Sequence, residues 1–213
     1  MKEGWYKVKL GDVFTTINGL WTGKKEPFVK VNVYTMANFT KDSEMKKESS
    51  PREVMASVSQ YESRKLEKGD ILIEKSGGGP NQPVGRAVFF HIENSENNTF
   101  SNFTTRLRLA ENYIDKIDSK FVQQYLKYIY ITGETEQFQN NSTNIRNLQL
   151  KEYLSQDLYY PSLIEQQRIV SILDRCFEAI DKAKANAEQN LLNAKELFES
   201  YLQGVFEKKG EGW

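Results

Sequence analysis

Cysteine, histidine and long apolar runs are nearly missing from this sequence of 213 residues. The single cysteine, Cys176, excludes an intramolecular disulfide and a cysteine-based zinc site, and the single histidine, His91, excludes a His-rich metal site. No apolar run approaches the ~18–20 residues that span a bilayer, and the first residues include no apolar stretch of the signal-peptide type. We therefore expect no resident metal, no membrane association and a reducing, cytoplasmic environment.

An excess of charge of either sign is also missing. Lys and Arg together number 29, and so do Asp and Glu. Nucleic-acid binders are usually more basic than this, so nucleic-acid binding would need local patches or partners that supply positive charge. Aromatic residues, at 12%, are by contrast numerous enough to build a core, which excludes a globally disordered chain.

A change of pattern at Pro161 divides the chain. Before it, short alternating segments and turns dominate. After it, one helical pattern continues to about Lys208, with Gly204 as its only poor helix former. Pro161 blocks a helix upstream, while Ser162 and Glu165 have the spacing of a capping box. We therefore predict a domain over residues 1–160 and a long helix over residues 161–209.

The helix carries apolar and small residues with a heptad period, which is typical of a coiled coil. At ~1.5 Å per residue it is roughly 70 Å long, too long to bury this seam against a domain roughly 30–35 Å across. The seam therefore predicts a helical partner, with alanines that allow close approach and Asn190 to set the register. A hairpin folded back on itself is the alternative. The seam positions are Ile169, Leu173, Cys176, Ile180, Ala183, Ala187, Asn190, Ala194, Leu197 and Tyr201.

The part before Pro161 mixes strand and helix patterns, so we predict an α+β fold: a mixed domain followed by one long coiled-coil helix. Ser119 is predicted to cap an amphipathic helix that ends at Gly133. Residues 41–52 and 76–83 are predicted to be loops. Predicted strands cover residues 5–10, 28–33, 71–73, 84–92, 103–109 and 158–161.

Motifs for catalysis are not found. The glycines at 77–79 match neither a phosphate-binding P-loop nor a dinucleotide fingerprint. Glu74 and Lys75 are adjacent and point to opposite faces of a strand, so they cannot share a nuclease metal site. His91 lacks a nucleophile elbow, and Cys176 lies in the apolar seam. The chain is therefore predicted to be a non-catalytic binding protein without a cofactor.

Four polar segments can supply contacts to a ligand. They are Asn18 to Lys25, the glycine loop Ser76 to Gln82 with Arg86 beyond it, Thr104 to Arg106, and Asn140 to Arg146. Amide and guanidinium groups can bind base edges bidentately, while lysines and hydroxyls hold phosphates. Taken alone, each segment is better explained as an ordinary solvated loop, and loop chemistry does not distinguish DNA from other partners.

The stretch from Leu158 to Val170 resembles the start of the conserved helix of type I restriction-modification specificity subunits (HsdS), through Pro161, Glu165, Gln166 and Ile169. Trp5 to Asp12 is similar to the beginning of a target recognition domain in that family. Gly69 to Ile73, the glycine loop and Pro83 to Arg86 are similar to its middle, and Ser142 to Ile145 to its end. The order and spacing agree over nearly the whole chain.

This resemblance implies a target recognition domain that binds double-stranded DNA, joined to one conserved helix. A full specificity subunit has two of each, with the helices paired antiparallel. Glu211-Gly212-Trp213 repeats Glu3-Gly4-Trp5 at the point where a second recognition domain would begin, so we expect a half-length form. A homodimer through the long helix would restore the two-fold arrangement and bind two inverted half-sites.

The resemblance also implies partners. In the family, a modification (methyltransferase) subunit methylates adenine and a restriction subunit cleaves DNA, so neither of their cofactors is expected to bind here. The residues predicted to contact DNA are Lys24, Lys25, Gln82, Arg86, Asn141 and Asn144. Two alternatives remain: a coiled-coil interaction protein without a DNA role, and a recognition fragment of a fused restriction-methylation enzyme.

Overall fold

The computed structural model describes residues 4–46, 49–79, 82–93, 96–142 and 145–207, with the backbone alone for Asn141 and Ser142. The chain divides into two compact units between Gln167 and Arg168. The strands are β1 (Tyr6–Lys9), β2 (Phe14–Asn18), β3 (Phe28–Tyr34), β4 (Arg52–Ser57), β5 (Ile71–Glu74), β6 (Ser76–Gly78), β7 (Ala87–Phe89), β8 (Asn98–Phe100), β9 (Thr104–Leu109), β10 (Gln139–Ser142), β11 (Ile145–Leu148) and β12 (Asp157–Tyr160). The α-helices are α1 (Leu10–Val13), α2 (Val58–Glu62), α3 (Ser119–Ile131), α4 (Leu150–Leu154) and α5 (Leu163–Glu207).

The largest sheet of the first unit has the order β2-β9-β5-β7, and each neighbouring pair is antiparallel. Its middle strand β5 is buried along its whole length, as the continuous apolar run Ile71-Leu72-Ile73 predicted. Leu72 belongs to a cluster of buried side chains that also includes Phe90 and Phe100. This cluster holds the sheet in place and positions the edge at which β5 ends.

A second sheet, of order β4-β3-β8, is built on the strand predicted at residues 28–33. β3 pairs antiparallel with β4 and parallel with β8. Its core consists of Leu20, Val31, Val33, Ala56 and Tyr61. Since Leu20 lies two residues after the end of β2, this cluster also anchors the start of the loop that carries Lys24 and Lys25.

Part of the predicted loop 76–83 is a strand. β6 joins the hairpin β10-β11, with Gly78 opposite Arg146 and Ser76 opposite Asn147. Glycine is required at 78, because a Cβ there would lie 2.3 Å from the Gln82 carbonyl oxygen. Sequence patterns missed both strands of the hairpin and β6, because their residues are polar and lack the apolar alternation of a half-buried strand.

The predicted strand at residues 84–92 is shorter than expected, since β7 covers only Ala87–Phe89. Gly85 has φ +110 and interrupts the extended backbone before it. The strands predicted at residues 5–10 and 158–161 pair with each other as β1 and β12, and Lys9 lies opposite Asp157. Lys7 and Lys9 both form ion pairs with Asp157, at 2.8 and 2.7 Å.

The cap of α3 differs from the prediction by one residue. Asp118 is the N-cap, and its carboxylate accepts hydrogen bonds from the N–H groups of Lys120 and Phe121. Aspartate competes well with serine for this position, so the Ser119 assignment was wrong. Gly133, predicted to end the helix, follows it with φ +80.

The long helix α5 has 45 residues and is about 68 Å long. The Glu165 N–H points at Ser162 Oγ, 3.4 Å away, as the capping pattern predicted. In the first turn, the buried Gln166 side chain donates to the carbonyls of Lys116 and Pro161 and accepts from the Asp118 N–H. Gln166 thus ties the beginning of α5 to the loop that starts α3. No helix in the described part of the chain combines the length and the apolar character needed to cross a membrane.

Candidate nucleic-acid interface

Three of the four polar segments meet at one edge of the largest sheet. β9 runs antiparallel to both of its neighbours, so the ends of β2 and β5 lie beside the beginning of β9. In this register Asn18 is opposite Thr105, and Glu74 is opposite Thr104. Lys75, directly after β5, therefore lies close to the side chains of Asn18 and Thr105.

Asn18 and Lys75 are joined by a hydrogen bond. The ammonium of Lys75 donates to Asn18 Oδ1 at 2.8 Å, and the hydroxyl of Thr105 donates to the same oxygen at 3.0 Å. Lys75 is only partly exposed, and burial lowers the pKa of its ammonium. The Asn18 side chain is exposed. The edge thus presents a lysine and an amide whose orientations are linked.

The strand β11, in which the fourth segment continues, reaches the same edge through the backbone of Lys75. Its N–H donates to the Phe103 carbonyl at 2.9 Å, and its carbonyl accepts from the Leu148 N–H at 2.7 Å. The neighbouring Ser76 hydroxyl donates to Asn147 Oδ1. The structure therefore brings three polar segments, and the strand β11 that continues the fourth, together around Lys75, which the sequence could not show. We call Asn18, Lys75, Ser76, Thr105 and Asn147 the polar edge.

None of the five residues of the polar edge was among the predicted DNA contacts. The sequence prediction favoured lysines and amides in loops over the residues at the ends of strands. A signal was available. Lys75 comes two residues after the apolar run Ile71-Leu72-Ile73 and two residues before three glycines, which favours a lysine that emerges from the core beside flexible backbone. Glu74 and Lys75 do point to opposite faces, as predicted: Glu74 is 1% exposed, whereas Lys75 turns to Asn18.

Arg86 does not fit its predicted role as a DNA contact. Its guanidinium is buried and donates twice to the Glu74 carboxylate, at 2.7 and 3.0 Å, and once to the Thr40 carbonyl. The hydrogen bond to Glu74 raises the pKa of Arg86. With its side chain buried and its charge paired to Glu74, Arg86 is poorly placed to contact a phosphate. We correct the prediction accordingly: Arg86 neutralises a buried carboxylate.

Arg106, in the third polar segment, is also internal. Its Nη1 donates to the Lys65 carbonyl at 2.6 Å, and burial lowers the pKa of the guanidinium. Thr105, rather than Arg106, faces the polar edge from β9. Alternation along the strand explains the difference, because neighbouring side chains point to opposite faces.

Lys24 and Lys25 are exposed in the loop between β2 and β3. The Thr22 and Pro27 carbonyls accept hydrogen bonds from Ser57 and Val58 and hold the two ends of this loop. Within the ranges that the structure describes, neither lysine forms a hydrogen bond or an ion pair. Both ammonium groups remain available to a negatively charged ligand, so their assignment stays a prediction.

The structure describes the other three predicted DNA contacts only in part. Gln82 is exposed, and its N–H closes a turn with the Gly79 carbonyl. Asn141 lies in β10 opposite Arg146, but its side chain is outside the described part of the structure. Asn144 is outside the described residues altogether. These assignments also stay predictions.

The predicted seam lies along a helix with little cover. Ile169 and Leu173 are partly buried, and the other positions are exposed: Cys176, Ile180, Ala183, Ala187, Asn190, Ala194, Leu197 and Tyr201. In a straight helix a heptad pattern drifts by about 20° per repeat. Beyond Ala187 the stripe of a straight helix instead passes through the exposed Leu191, Phe198 and Val205. The predicted seam, which assumes a constant heptad, does not include these three residues, and it stays a prediction.

No cluster of three or more His, Cys, Asp or Glu side chains with the spacing of a metal site occurs among the residues with described positions. His91 is exposed and outside the strands, and Cys176 is exposed on the helix. The candidate site consists of hydrogen-bond donors, amides and lysines, which can bind phosphates and base edges.

The chain is similar to known specificity domains. The family model of the type I restriction modification DNA specificity domain matches residues 2–191. A solved structure from work on complex assembly and conformational transition of the type I R-M system is 20% identical, with a TM-score of 0.67, over 97% of this chain and 46% of that one. The HsdS subunit from Thermoanaerobacter tengcongensis is 16% identical, with a TM-score of 0.67, over 100% of this chain and 52% of that one.

At these identities the structural likeness shows a shared fold. It confirms the predicted α+β class with a long helix at the end. The chain spans about half the length of both solved chains. No curated protein matches it.

Proposed function

The chain belongs to the family of type I restriction-modification DNA specificity domains, and from that premise we propose that it recognises one half of a bipartite DNA site. The family match over residues 2–191 is the main support for the proposal. It includes both the first compact unit, up to Gln167, which we call the recognition unit, and most of α5. The polar edge supports it. Three polar segments that are far apart in sequence, and the strand β11 that continues the fourth, bring donors and amides to one edge of the largest sheet.

The polar edge and the loop between β2 and β3 both carry groups that suit DNA. Lys24 and Lys25 are exposed cations that can neutralise phosphates, and the amides of the polar edge can bind base edges. Trp21 and Phe103, 66% and 47% exposed, add aromatic surface beside two of the polar segments. A non-catalytic role follows, in which the chain selects the sequence and other subunits perform the chemistry.

We propose that a second copy of the chain covers the helix. Both solved chains are about twice as long as this one, so two copies would supply a comparable amount of fold. The helix exposes a long apolar stripe that a partner helix can bury. Antiparallel pairing of two α5 helices gives a two-fold dimer with two recognition units, which would bind inverted half-sites separated by a spacer.

The neutral chain is proposed to act in the cytoplasm with modification and restriction subunits. A net charge of zero leaves few cations to balance a DNA backbone. Partner subunits that surround the DNA would supply the remaining positive charge. DNA affinity of the isolated chain should therefore be weak and should rise when the modification subunit is present.

The proposal is tested by methylation in cells. The chain is co-expressed with its modification subunit in a host that lacks other adenine methyltransferases, and methylated adenines are mapped by single-molecule sequencing. We expect one interrupted motif with two inverted, identical half-sites. Cells with the modification subunit alone are the control.

Three outcomes separate the alternatives. Methylation that does not depend on the chain would contradict its role in DNA recognition. A stable dimer with no DNA affinity in the presence of the modification subunit would support the interaction protein instead. An interrupted motif with unrelated halves would retain the recognition role but contradict the homodimer.

A further inference from the structure

The hydrogen bonds of the polar edge determine which atoms it presents. Lys75 can only donate, so the Asn18 atom that it contacts at 2.8 Å must be the amide oxygen. Thr105 Oγ1 donates to the same oxygen at 3.0 Å. The orientation of the Asn18 amide is therefore determined by its surroundings, with its NH₂ group on the side away from both donors.

Two sets of donors remain available. The NH₂ group of Asn18 forms no hydrogen bond with any residue in the described ranges, and neither do the other two N–H bonds of Lys75. Asn18 is exposed and Lys75 partly so, so both can meet a ligand. The outward chemistry of this pair consists of donors alone.

The pair is also held in place. Lys75 is clamped by backbone hydrogen bonds to Phe103 and Leu148, and Asn18 ends a strand paired with β9. A lysine held by an amide loses less side-chain freedom on binding than a free surface lysine. Lys24 and Lys25, which lack such partners among the described residues, are better suited to phosphates, where a mobile point charge is sufficient.

In the major groove, guanine offers two adjacent acceptors, O6 and N7, and no donor. Adenine and cytosine each present an amino group, which would meet the donors of Asn18 and Lys75 unfavourably. Thymine offers one acceptor beside a methyl group. We infer that Asn18 and Lys75 together recognise a guanine in each half-site, with donors to O6 and N7. This inference rests on the proposed function and names the base that the polar edge reads.

Methylation mapping of variants tests the inference. We expect Lys75→Met to lose the preference for guanine at one position in each half-site, with discrimination reduced about tenfold or more, while the rest of the motif is unchanged. Lys75→Arg should retain guanine, because arginine donates to O6 and N7 as well. Asn18→Asp replaces the outward donors by an acceptor and should move the preference at the same position away from guanine.

Lys24→Met is the matched control, since it removes the same charge from an unpartnered exposed lysine. It should weaken binding equally for all sequences and lower the salt dependence, without altering the motif. Thermal unfolding of every variant shows whether the fold is retained. If Lys75→Met is unstable, the base preference of Lys75→Arg still tests the inference.

A Lys75→Met motif identical to that of the wild type, with uniformly weaker binding, would overturn the inference and make Lys75 a phosphate contact. Loss of guanine preference in Lys75→Arg to the same degree as in Lys75→Met would also contradict it. If the wild type itself directs no methylation, the proposed function fails first, and the guanine assignment fails with it.

Discussion

Phe90 and Phe206 have the same side chain but lie in two very different surroundings. Phe90 is fully buried and packs edge-on against Tyr34, with ring centroids 5.3 Å apart. Phe206 is 69% exposed near the end of α5. The contrast extends to the two units. The recognition unit encloses a core of fully buried apolar side chains, whereas the helix displays Ile180, Leu197 and Tyr201 to solvent.

The difference has a geometric cause. Sheets stacked with short helices can enclose a core, but a single helix cannot cover its own stripe. Exposed apolar stripes of this length usually indicate a binding surface. The recognition unit thus has a core of its own, while the second half of α5 has an uncovered apolar stripe that the proposed second copy would bury.

Replacement of Phe90 by alanine should produce the largest loss of stability. Removal of a fully buried ring costs about 3–5 kcal/mol of unfolding free energy, through lost transfer energy and a cavity. Phe206→Ala removes the same atoms from an exposed position that is off the straight-helix stripe. We expect little change for it in urea unfolding of the recognition unit. Equal losses in the two variants would contradict the division into a complete unit and an uncovered helix.

Arg86→Met should destabilise the recognition unit almost as strongly, by about 3 kcal/mol, because it leaves Glu74 buried without its counter-charge. Lys30→Met is the control, since its ion pair with Glu53 has both side chains about 60% exposed. Surface pairs of that kind contribute under about 1 kcal/mol. Urea unfolding measures both. A small effect of Arg86→Met, together with altered DNA recognition, would restore the original assignment of Arg86 as a DNA contact.

Ile180→Asp should convert the dimer to a monomer, because it places a charge in the apolar stripe. Light scattering of the wild type is expected to give twice the chain mass of 24.7 kDa, and that of the variant 24.7 kDa. Gln189→Asp adds the same charge on the opposite side of α5 and should leave the dimer intact. A monomeric wild type would refute the homodimer, while the recognition role would stand on the family match.

Substitutions at the neighbouring residues Leu197 and Phe198 test which face of α5 the second copy covers. Both are exposed, at 73% and 62%. A straight helix places Phe198 on the stripe with Ile180 and Ala187, whereas a heptad seam places Leu197 there. We expect Phe198→Ala to raise the dimer dissociation constant about tenfold more than Leu197→Ala, measured by analytical ultracentrifugation. The opposite order would favour the heptad seam with Asn190.

The smallest effect is expected at the β1–β12 pair. Hydrogen bonds from Lys7 and Lys9 lower the pKa of Asp157 below its ordinary value of 3.8. A carboxylate with a lowered pKa stabilises the fold above its unfolded-state pKa, and this contribution is lost as the pH falls through the folded-state pKa. The stability difference between wild type and Asp157→Asn should therefore be constant near neutral pH and shrink below 3.8.

Urea midpoints at a series of pH values measure that difference. Asp12→Asn, at an exposed position that has no hydrogen bond or ion pair within the described chain, is the control and should leave the pH profile unchanged. A gap between wild type and Asp157→Asn that persists at low pH would show that the ion pairs are not its source.

Much of the fold was predictable where local signals were strong. The apolar run at Ile71 marked a buried strand, and the uninterrupted pattern after Pro161 marked the long helix. The hairpin β10-β11 was not predictable, because its polar residues show no apolar alternation and form strands by pairing with each other and with β6. The cap of α3 was displaced by one residue, since Asp118 and Ser119 both carry acceptors suited to that position.

The candidate site was predictable only as a set of segments. The four polar stretches were recognisable as loop chemistry, but the residues selected within them were often different from those that meet. Arg86 was selected for its charge, and the structure buries that charge against Glu74. Lys75 was considered only for a nuclease metal site and was rejected for it. In the structure its ammonium donates a hydrogen bond to Asn18, 57 positions away in the sequence.

Residue order by itself determined the two-part organisation, the long helix, its apolar stripe and the family resemblance, because these depend on periodicity and on short runs of neighbouring residues. Only the tertiary structure decided which polar groups face outward and which neutralise one another. The physical reason is that burial and hydrogen bonding depend on strand register, and strand register joins residues that are distant in the chain. The donors of Asn18 and Lys75 exist as a pair only after β2, β9 and β5 have come together.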